Sequence, residues 1–475
     1  MSTDRFKNYD DDVRWLVLGF EEMDRHGKTQ YYDVEQLETI IDFYSETSNG
    51  EMFEKAVRHG ERLFPQSNDI KLRRAHLLCY NEHYEEALRL LKKLELVEPD
   101  NTDVTYALGV AYGAVGQSRK AIQYYLKTAS DGYKLEIIYD NIGDEYSKMG
   151  LFADARTYYQ KALMEDPEDE HALYELANCY EDEMLYDKWI GFFSRFVKDN
   201  PYSKTAWFCL GEGYFANGEY LQAIDAYQYA SAIDDKFCDA HMQTASCYVM
   251  LERYDDAVSS LHEALKCSND KANIYFLLGD VFRHKNNMVT SNIYFDKAVK
   301  EDPFYAEAYH ALSLNYSAMR DYGEAINSCK EALRINPESP LYLTTLALIY
   351  SDAGDYESAE KFFECAIPYY DDFEYGWLAY ADYLIMQGKY DEAIDALSKG
   401  LTNSEASTEF YKRLSKCYYY TNRYNMLYNT VRACAYNNPE GAIELLEYCP
   451  ELNKVPEVMS VISSEFIEYK NLKHK

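Results

Sequence analysis

The chain has 475 residues, a net charge of −33, 47% apolar residues, 49 tyrosines and 11 cysteines. So much negative charge argues against binding to nucleic-acid phosphates or to anionic membrane surfaces, and no apolar run approaches the roughly 20 residues of a membrane-spanning helix. Trp15 to Phe20 is too short for a signal-peptide core and follows Asp10, Asp11 and Asp12, and 11 cysteines without a C-x-x-C fit a reducing compartment, so the expectation is a cytoplasmic protein with all its thiols free.

Residues 1–67 carry three helical patterns, over 12–26, 33–45 and 50–64, interrupted by Gly27 and by Ser48-Asn49-Gly50. They read as out of register with the rest of the chain, apart from Ala56, which suits a shortened, divergent repeat, and the segment is expected to cap the N-terminal end. Gly27-Lys28-Thr29 matches the last part of a phosphate-binding loop. The glycine needed five residues earlier is Glu22, and a helical pattern precedes it, so a helix-ending turn is the reading.

From Asn68 a 34-residue period takes over. Units begin at Asn68, Thr102, Glu136, Glu170, Lys204, Cys238, Ala272, Ala306, Pro340, Glu374 and Thr408. Position 8 is Ala75, Gly109, Gly143, Ala177, Gly211, Ala245, Gly279, Ser313, Ala347, Ala381 and Ser415, small in every unit. Position 20 is alanine except at Trp189, Ser291 and Leu427. Position 15 supplies five glycines and two asparagines, residues that tolerate the left-handed turn closing a helix. Position 32 supplies Pro99, Pro167, Pro201, Pro303, Pro337 and Pro439, each ending a helix it cannot continue. Position 17 is aromatic in most units, with Ser118 departing.

The unit Glu170–Ser203 departs most, with Trp189 and Phe196 where alanines are expected, and Gly191 is a candidate for letting that helix approach its neighbour. After Thr408 the pattern weakens. Two last helical segments, 441–448 and 457–471, the second with an apolar face of Val458, Val461, Ile462 and Phe466, are expected to cover the end, leaving a basic tail over 470–475.

Small residues at positions 8 and 20, aromatics at 11, 17 and 24 and proline at 32 resemble the tetratricopeptide repeat, a helix–turn–helix unit. The resemblance covers residues 68–441, eleven units flanked by caps at 1–67 and 442–475. It implies an all-α, right-handed α-solenoid, in which each unit touches mainly its neighbours. The stretch from Tyr31 to Tyr44 also resembles the N-terminal portion of acidic bacterial members of that family.

In that family the first helix of each unit lines a concave groove, through positions 2, 5, 6, 9, 12 and 13. A subclass grips a carboxylate with lysine at 5 and asparagine at 9. No unit here has that pair, and among the later units the one basic first helix, with Lys412, Arg413 and Lys416, lies in the last. The middle of the groove is acidic and aromatic: Asp140, Asn141, Asp144, Tyr174, Glu175, Asn178, Glu181, Asp182, Phe208, Glu212 and Phe215. Residues 136–203 hold 16 acids against six bases. These residue types suit a peptide or protein partner rich in Lys and Arg, with rings to meet aliphatic stems and charged heads; an acidic face also serves solubility alone.

No catalytic motif occurs, and Cys238, His241 and Cys247 lack a fourth ligand and zinc-site spacing. The expectation is a non-enzymatic scaffold without cofactor or metal, or alternatively a structural subunit that meets its partners through edges and ends.

Overall fold

A computed structural model describes residues 6, 9–26, 30–132, 134–370, 373–403, 407–438 and 441–463. Gly27-Lys28-Thr29, Pro439, Phe466 and the tail 470–475 lie outside the described residues. The chain divides into two compact units, Met1–Cys247 and Tyr248–Lys475. Both are all-α solenoids of antiparallel helical hairpins, with no strand among the described residues. Within each, successive helices pack on one another and several first helices also touch the first helix of the next repeat.

The 34-residue period is visible in the helix ends. First helices such as Thr102–Ala114, Glu170–Asp182, Lys204–Ala216 and Pro340–Asp352 start at position 1, and each second helix from Tyr84–Val97 to Tyr424–Asn437 starts at position 17. Between them position 15 turns left-handed in every repeat. Glycine takes this turn at 116, 150, 218, 354 and 388, but Glu82, Met184, Glu252, Asn286, Arg320 and Asn422 adopt it too. A side chain in that conformation costs roughly 1–2 kcal/mol, so the hairpin packing overrides the local preference at these six.

The same frame extends upstream, which corrects the reading of residues 1–67 as out of register. Val34–Glu46 and Gly50–Leu63 form a hairpin whose second helix starts at position 17 counted from Val34, and Ser48, at position 15, is left-handed with φ of 53°. What hides this repeat is its packing. Ile41 and Phe53, both buried, stand at positions 8 and 20, and the core here is built from large residues of helix Asp11–His26, including Val17 and Phe20. Ala56 is buried but does not mark a shortened unit.

Downstream, in the four repeats with glycine at position 8, the ring at position 24 of the same repeat lies on it. A Cβ on Gly143 would stand 2.5 Å from the Tyr159 ring, one on Gly211 2.4 Å from Tyr227, one on Gly109 2.6 Å from Tyr125 and one on Gly279 2.5 Å from Phe295. The alanines at position 20, from Ala87 to Ala393, are fully buried against the neighbouring helix.

Two exceptions at position 20 are compensated differently. Ser291 donates to the Gly279 carbonyl at 2.7 Å and accepts from Asn315, which also donates to Asn292. Trp189 is buried with its indole N–H unpartnered among the described residues. Its space comes from Gly213 in the following repeat, where a Cβ would meet the indole at 3.1 Å, and not from Gly191, whose added Cβ would meet nothing within 4 Å. Gly191→Ala is therefore expected to raise stability by about 0.5–1 kcal/mol, the helix-interior preference of alanine, whereas Gly213→Ala lowers it. Urea midpoints of the two variants on opposite sides of wild type would bear this out, and the same shift in both would refute it.

Nine cysteines are free thiols, most of them buried. Cys238 and Cys267 each stand in a disulfide, so the expectation that every thiol is free fails for these two. At the C-terminal end, Gly441–Tyr448 and a last helical stretch over 456–463 bury Leu445, Leu452, Val458 and Ile462.

Candidate functional site

The residues singled out in the acidic stretch all lie in the N-terminal unit, on the first helices Leu135–Lys148, Glu170–Asp182 and Lys204–Ala216. These three helices run side by side, each touching the next, so side chains 34 residues apart form rows across one face.

Asp140 and Asp144, one turn apart, share a partner that the sequence reading missed. Oδ2 of Asp140 stands 2.9 Å from Nδ1 of His171, and Oδ1 of Asp144 stands 3.9 Å from its Nε2. Burial is the main cause pushing Asp140 up to about 6, against the pull of the imidazole. For His171, burial works against the charged form, but the Asp140 hydrogen bond and the charges of Asp140, Asp144 and Glu175 outweigh it and hold the ring above its ordinary 6.5. The donor atoms of Asp140, Asp144 and His171 lie within 4.8 Å of one another. Asp140 and His171 are hydrogen-bonded directly, a contact that is an ion pair when the ring is protonated. Asp144 is also tied inward, because the Tyr159 hydroxyl donates to its Oδ1 at 2.8 Å. The signal that would have found His171 is an offset of 31 residues, one repeat less one helical turn of three.

Glu212 repeats the Asp144 arrangement two repeats further on, accepting from the Tyr227 hydroxyl. Burial raises its pKa, the Tyr227 hydrogen bond opposes this, and Glu181 and Asp239 add to the rise. Glu181 and Asp239, from the repeats on either side, thus each lie within electrostatic reach of Glu212. Glu181 and Asp182 are exposed at the end of their helix, and Glu175, half-buried, accepts from Asn178 at 3.2 Å. Asn141 donates to Tyr106 and to the Ile137 carbonyl.

The aromatic side chains are less available than their positions suggest. Phe208 is buried among Tyr174, Tyr227 and Phe237, with centroids 6.2, 5.4 and 5.1 Å away. Phe215 turns edge-on to Tyr220 of its own repeat. Tyr174 and Phe215 are both half-buried, and each keeps part of its ring at the surface.

Nearer the N-terminus the same face changes character. Arg73 makes a two-pronged contact with Asp42 at 2.9 and 3.2 Å, within the lining of a cavity of about 330 Å³ that also includes Leu72, His76 and Tyr106. In the C-terminal unit the basic helix is internally neutralised: Arg413 holds Asp382 and Glu409, Lys412 pairs with Glu409 and Glu444, and Lys416 sits over Tyr448.

Tetratricopeptide-repeat family models match residues 25–134, 141–188, 245–306 and 316–383, and a model for subunit 3 of the anaphase-promoting complex, or cyclosome, matches 182–264. The TPR repeat-containing protein YpiA of Bacillus subtilis is 24% identical over 308 residues, 64% of each chain. The TPR repeat-containing protein MJ1428 of Methanocaldococcus jannaschii is 21% identical over 411 residues, 82% of this chain and 67% of that one. Anaphase-promoting complex subunit 3 of Schizosaccharomyces pombe is 28% identical over 148 residues, 31% of this chain and 22% of that one. The chain thus spans under two thirds of the length of the Bacillus and Schizosaccharomyces relatives. Among solved structures, the APC/C hetero-tetramer Cut9–Hcn1 aligns with 85% of this chain and 92% of its own, at a TM-score of 0.39 and 15% identity.

Proposed function

The chain belongs to the tetratricopeptide repeat family, and from that premise we propose that it is a non-enzymatic scaffold whose first-helix face binds a Lys/Arg-bearing segment of another protein. The observation that carries the reading is the convergence of Asp140, Asp144, Glu175, Glu181, Glu212 and Asp239 from four successive first helices onto one face. A stretched or helical basic segment laid across that face meets carboxylates in rows. Exposed ion pairs contribute about 0–1 kcal/mol each, so several must act together and binding weakens with salt.

A structural-subunit role is the second reading. It draws on the match of residues 182–264 to a family named for a subunit of a large complex, and it would place contacts at edges and ends instead.

The ionisation of Asp140 and His171 provides a test. As pH falls from 8 to 5.5, His171 gains a proton above its ordinary 6.5 and Asp140 gains one near 6, so the acidic rows lose negative charge. Affinity for a labelled Lys/Arg peptide is expected to drop by about three- to tenfold over that range, measured by fluorescence anisotropy at constant ionic strength. Asp140→Asn/His171→Gln protein should show a flatter profile. A wild-type affinity that does not change with pH, or that rises as pH falls, would remove these residues from the site.

A further inference from the structure

One repeat junction differs from all others in the chain. Where one repeat meets the next, position 17 of the first faces position 13 of the second. At two junctions both residues are rings and they stack: Tyr254 on His284, with centroids 6.2 Å apart and planes 10° apart, and Tyr390 on Tyr420, at 5.0 Å and 8°. At a third, position 17 is Gly50 and the ring comes from the other side. A Cβ on Gly50 would stand 2.9 Å from Tyr80. Every junction supplies an aromatic ring or a methionine at one of the two positions, except that between Ser118 and Lys148.

The surface is indented at that place, in an open depression rather than an enclosed cavity. This depression, of about 470 Å³, is lined by Gly116, Gln117, Ser118, Arg119, Lys120, Lys148 and Met149, which are positions 15 to 19 of one repeat and 13 and 14 of the next. It lies where the sister junctions place their rings. The lining holds three cations and no carboxylate, in a chain whose net charge is −33. Lys120 donates to Gln117 at 2.7 Å and lies over Tyr112, and Lys148 donates to the buried Glu145 at 2.6 Å. Arg119 is exposed and has no hydrogen-bond or ion-pair partner among the described residues.

We infer that this slot receives an aromatic side chain of a partner protein, carried in an acidic segment. The repeat itself defines the occupant: the space between positions 17 and 13 takes a ring in its sister junctions, or a methionine at Met288, and here the ring comes from another chain. Cations at the rim attract carboxylates flanking that ring, and a guanidinium without an internal partner is available to stack on it or to grip a carboxylate. The surface is separate from the acidic rows and selects a partner of opposite charge.

The probe is a fluorescein-labelled peptide, Asp-Glu-Phe-Glu-Asp, with an otherwise identical peptide carrying alanine at the centre. Wild-type protein is expected to bind the phenylalanine peptide saturably and the alanine peptide about tenfold more weakly. Ser118→Tyr restores the residue found at this position in most repeats, so it should fill the slot from within. It is expected to lower affinity about tenfold while leaving the melting temperature equal to or above that of wild type. Arg119→Glu, which breaks no internal contact, should weaken binding to a similar extent and carries the test if Ser118→Tyr misfolds. Absence of saturable binding to wild type, equal binding of the two peptides, or binding unchanged by a folded Ser118→Tyr or by Arg119→Glu would overturn the inference.

Discussion

Gly211→Ala is expected to destabilise the N-terminal unit by about 1–3 kcal/mol, the range for forcing an extra carbon into a close-packed core. The added Cβ would stand 2.4, 2.6 and 2.9 Å from three carbons of the Tyr227 ring. Those are distances that no rotamer change at position 211 can relieve, because the Cβ direction is set by the backbone. The ring has little freedom to retreat. It is fully buried, and its hydroxyl is held by the Glu212 carboxylate on the neighbouring first-helix position.

The chain contains its own rescue experiment. Each tyrosine at position 24 faces a glycine at position 8, in the pairs Gly109–Tyr125, Gly143–Tyr159 and Gly211–Tyr227. Leucine at position 24 is matched with alanine, in Ala75–Leu91, Ala245–Leu261 and Ala381–Leu397. Gly211→Ala/Tyr227→Leu should therefore recover most of the loss caused by Gly211→Ala, although Glu212 forfeits its hydrogen bond. Urea unfolding of wild type, both single variants and the double variant gives the coupling energy directly. Because repeat arrays unfold in more than one step, the comparison uses the first transition of each curve. Additive single effects, with no rescue, would mean that the ring is not what excludes a side chain at position 8.

These pairs were open to a reader of the sequence, since both members recur at fixed positions in each repeat. Their meaning was not, because a small residue at position 8 fits either a close helix approach or a ring laid upon it, and only the placement of Tyr159 and Tyr227 decides. The first hairpin illustrates the opposite difficulty. Its helix length and its turn at Ser48 obey the 34-residue frame, yet Ile41 and Phe53 occupy the two positions that identify a repeat elsewhere. A terminal repeat packs against a helix outside the array, so its side chains answer to that helix and not to the period. Gly191 and Gly213 show why a nearby glycine is a poor guide to where a large ring goes: Trp189 is relieved across the interface, 24 residues on, and not by the glycine two residues away.

The groove was legible as a set of positions but not as a set of partners. Sequence spacing puts Asp140, Asp144 and Glu212 on the first helices, and that is where they are. It does not reveal that Tyr159 and Tyr227 bind two of them from behind, or that His171 bridges the first two. Such contacts cross between helices at offsets set by the superposition of two periods. The pairs Asp42–Arg73, Asp140–His171 and Asp382–Arg413 are all separated by 31 residues. The offset acts as a rule only once one such pair has been seen in space.

These inward ties decide which acids can be altered to probe binding. Lysine at 140 or 144 would strand His171 or Tyr159 and confound recognition with folding, so the informative charge reversal is Glu175→Lys/Glu181→Lys/Asp182→Lys. Glu181 and Asp182 are exposed, and Glu175 gives up one long hydrogen bond, to Asn178. The substitution changes the face by six charge units and sets three cations against any Lys/Arg segment. At about 0.5 kcal/mol for each lost attraction and each new repulsion, affinity for a basic peptide is expected to fall at least thirtyfold at low salt. The loss should shrink as ionic strength rises, because exposed charges are screened beyond about 8–10 Å in physiological salt. A control with the same net charge, Asp154→Lys/Glu165→Lys/Glu168→Lys, alters exposed acids on a second helix and the following turn of the neighbouring repeat, and it should cost no more than about threefold. Circular dichroism of both triple variants matching wild type establishes that the fold is intact. If the two triples weaken binding alike, the protein attracts basic segments by its overall charge, and the first-helix face has no special part in it.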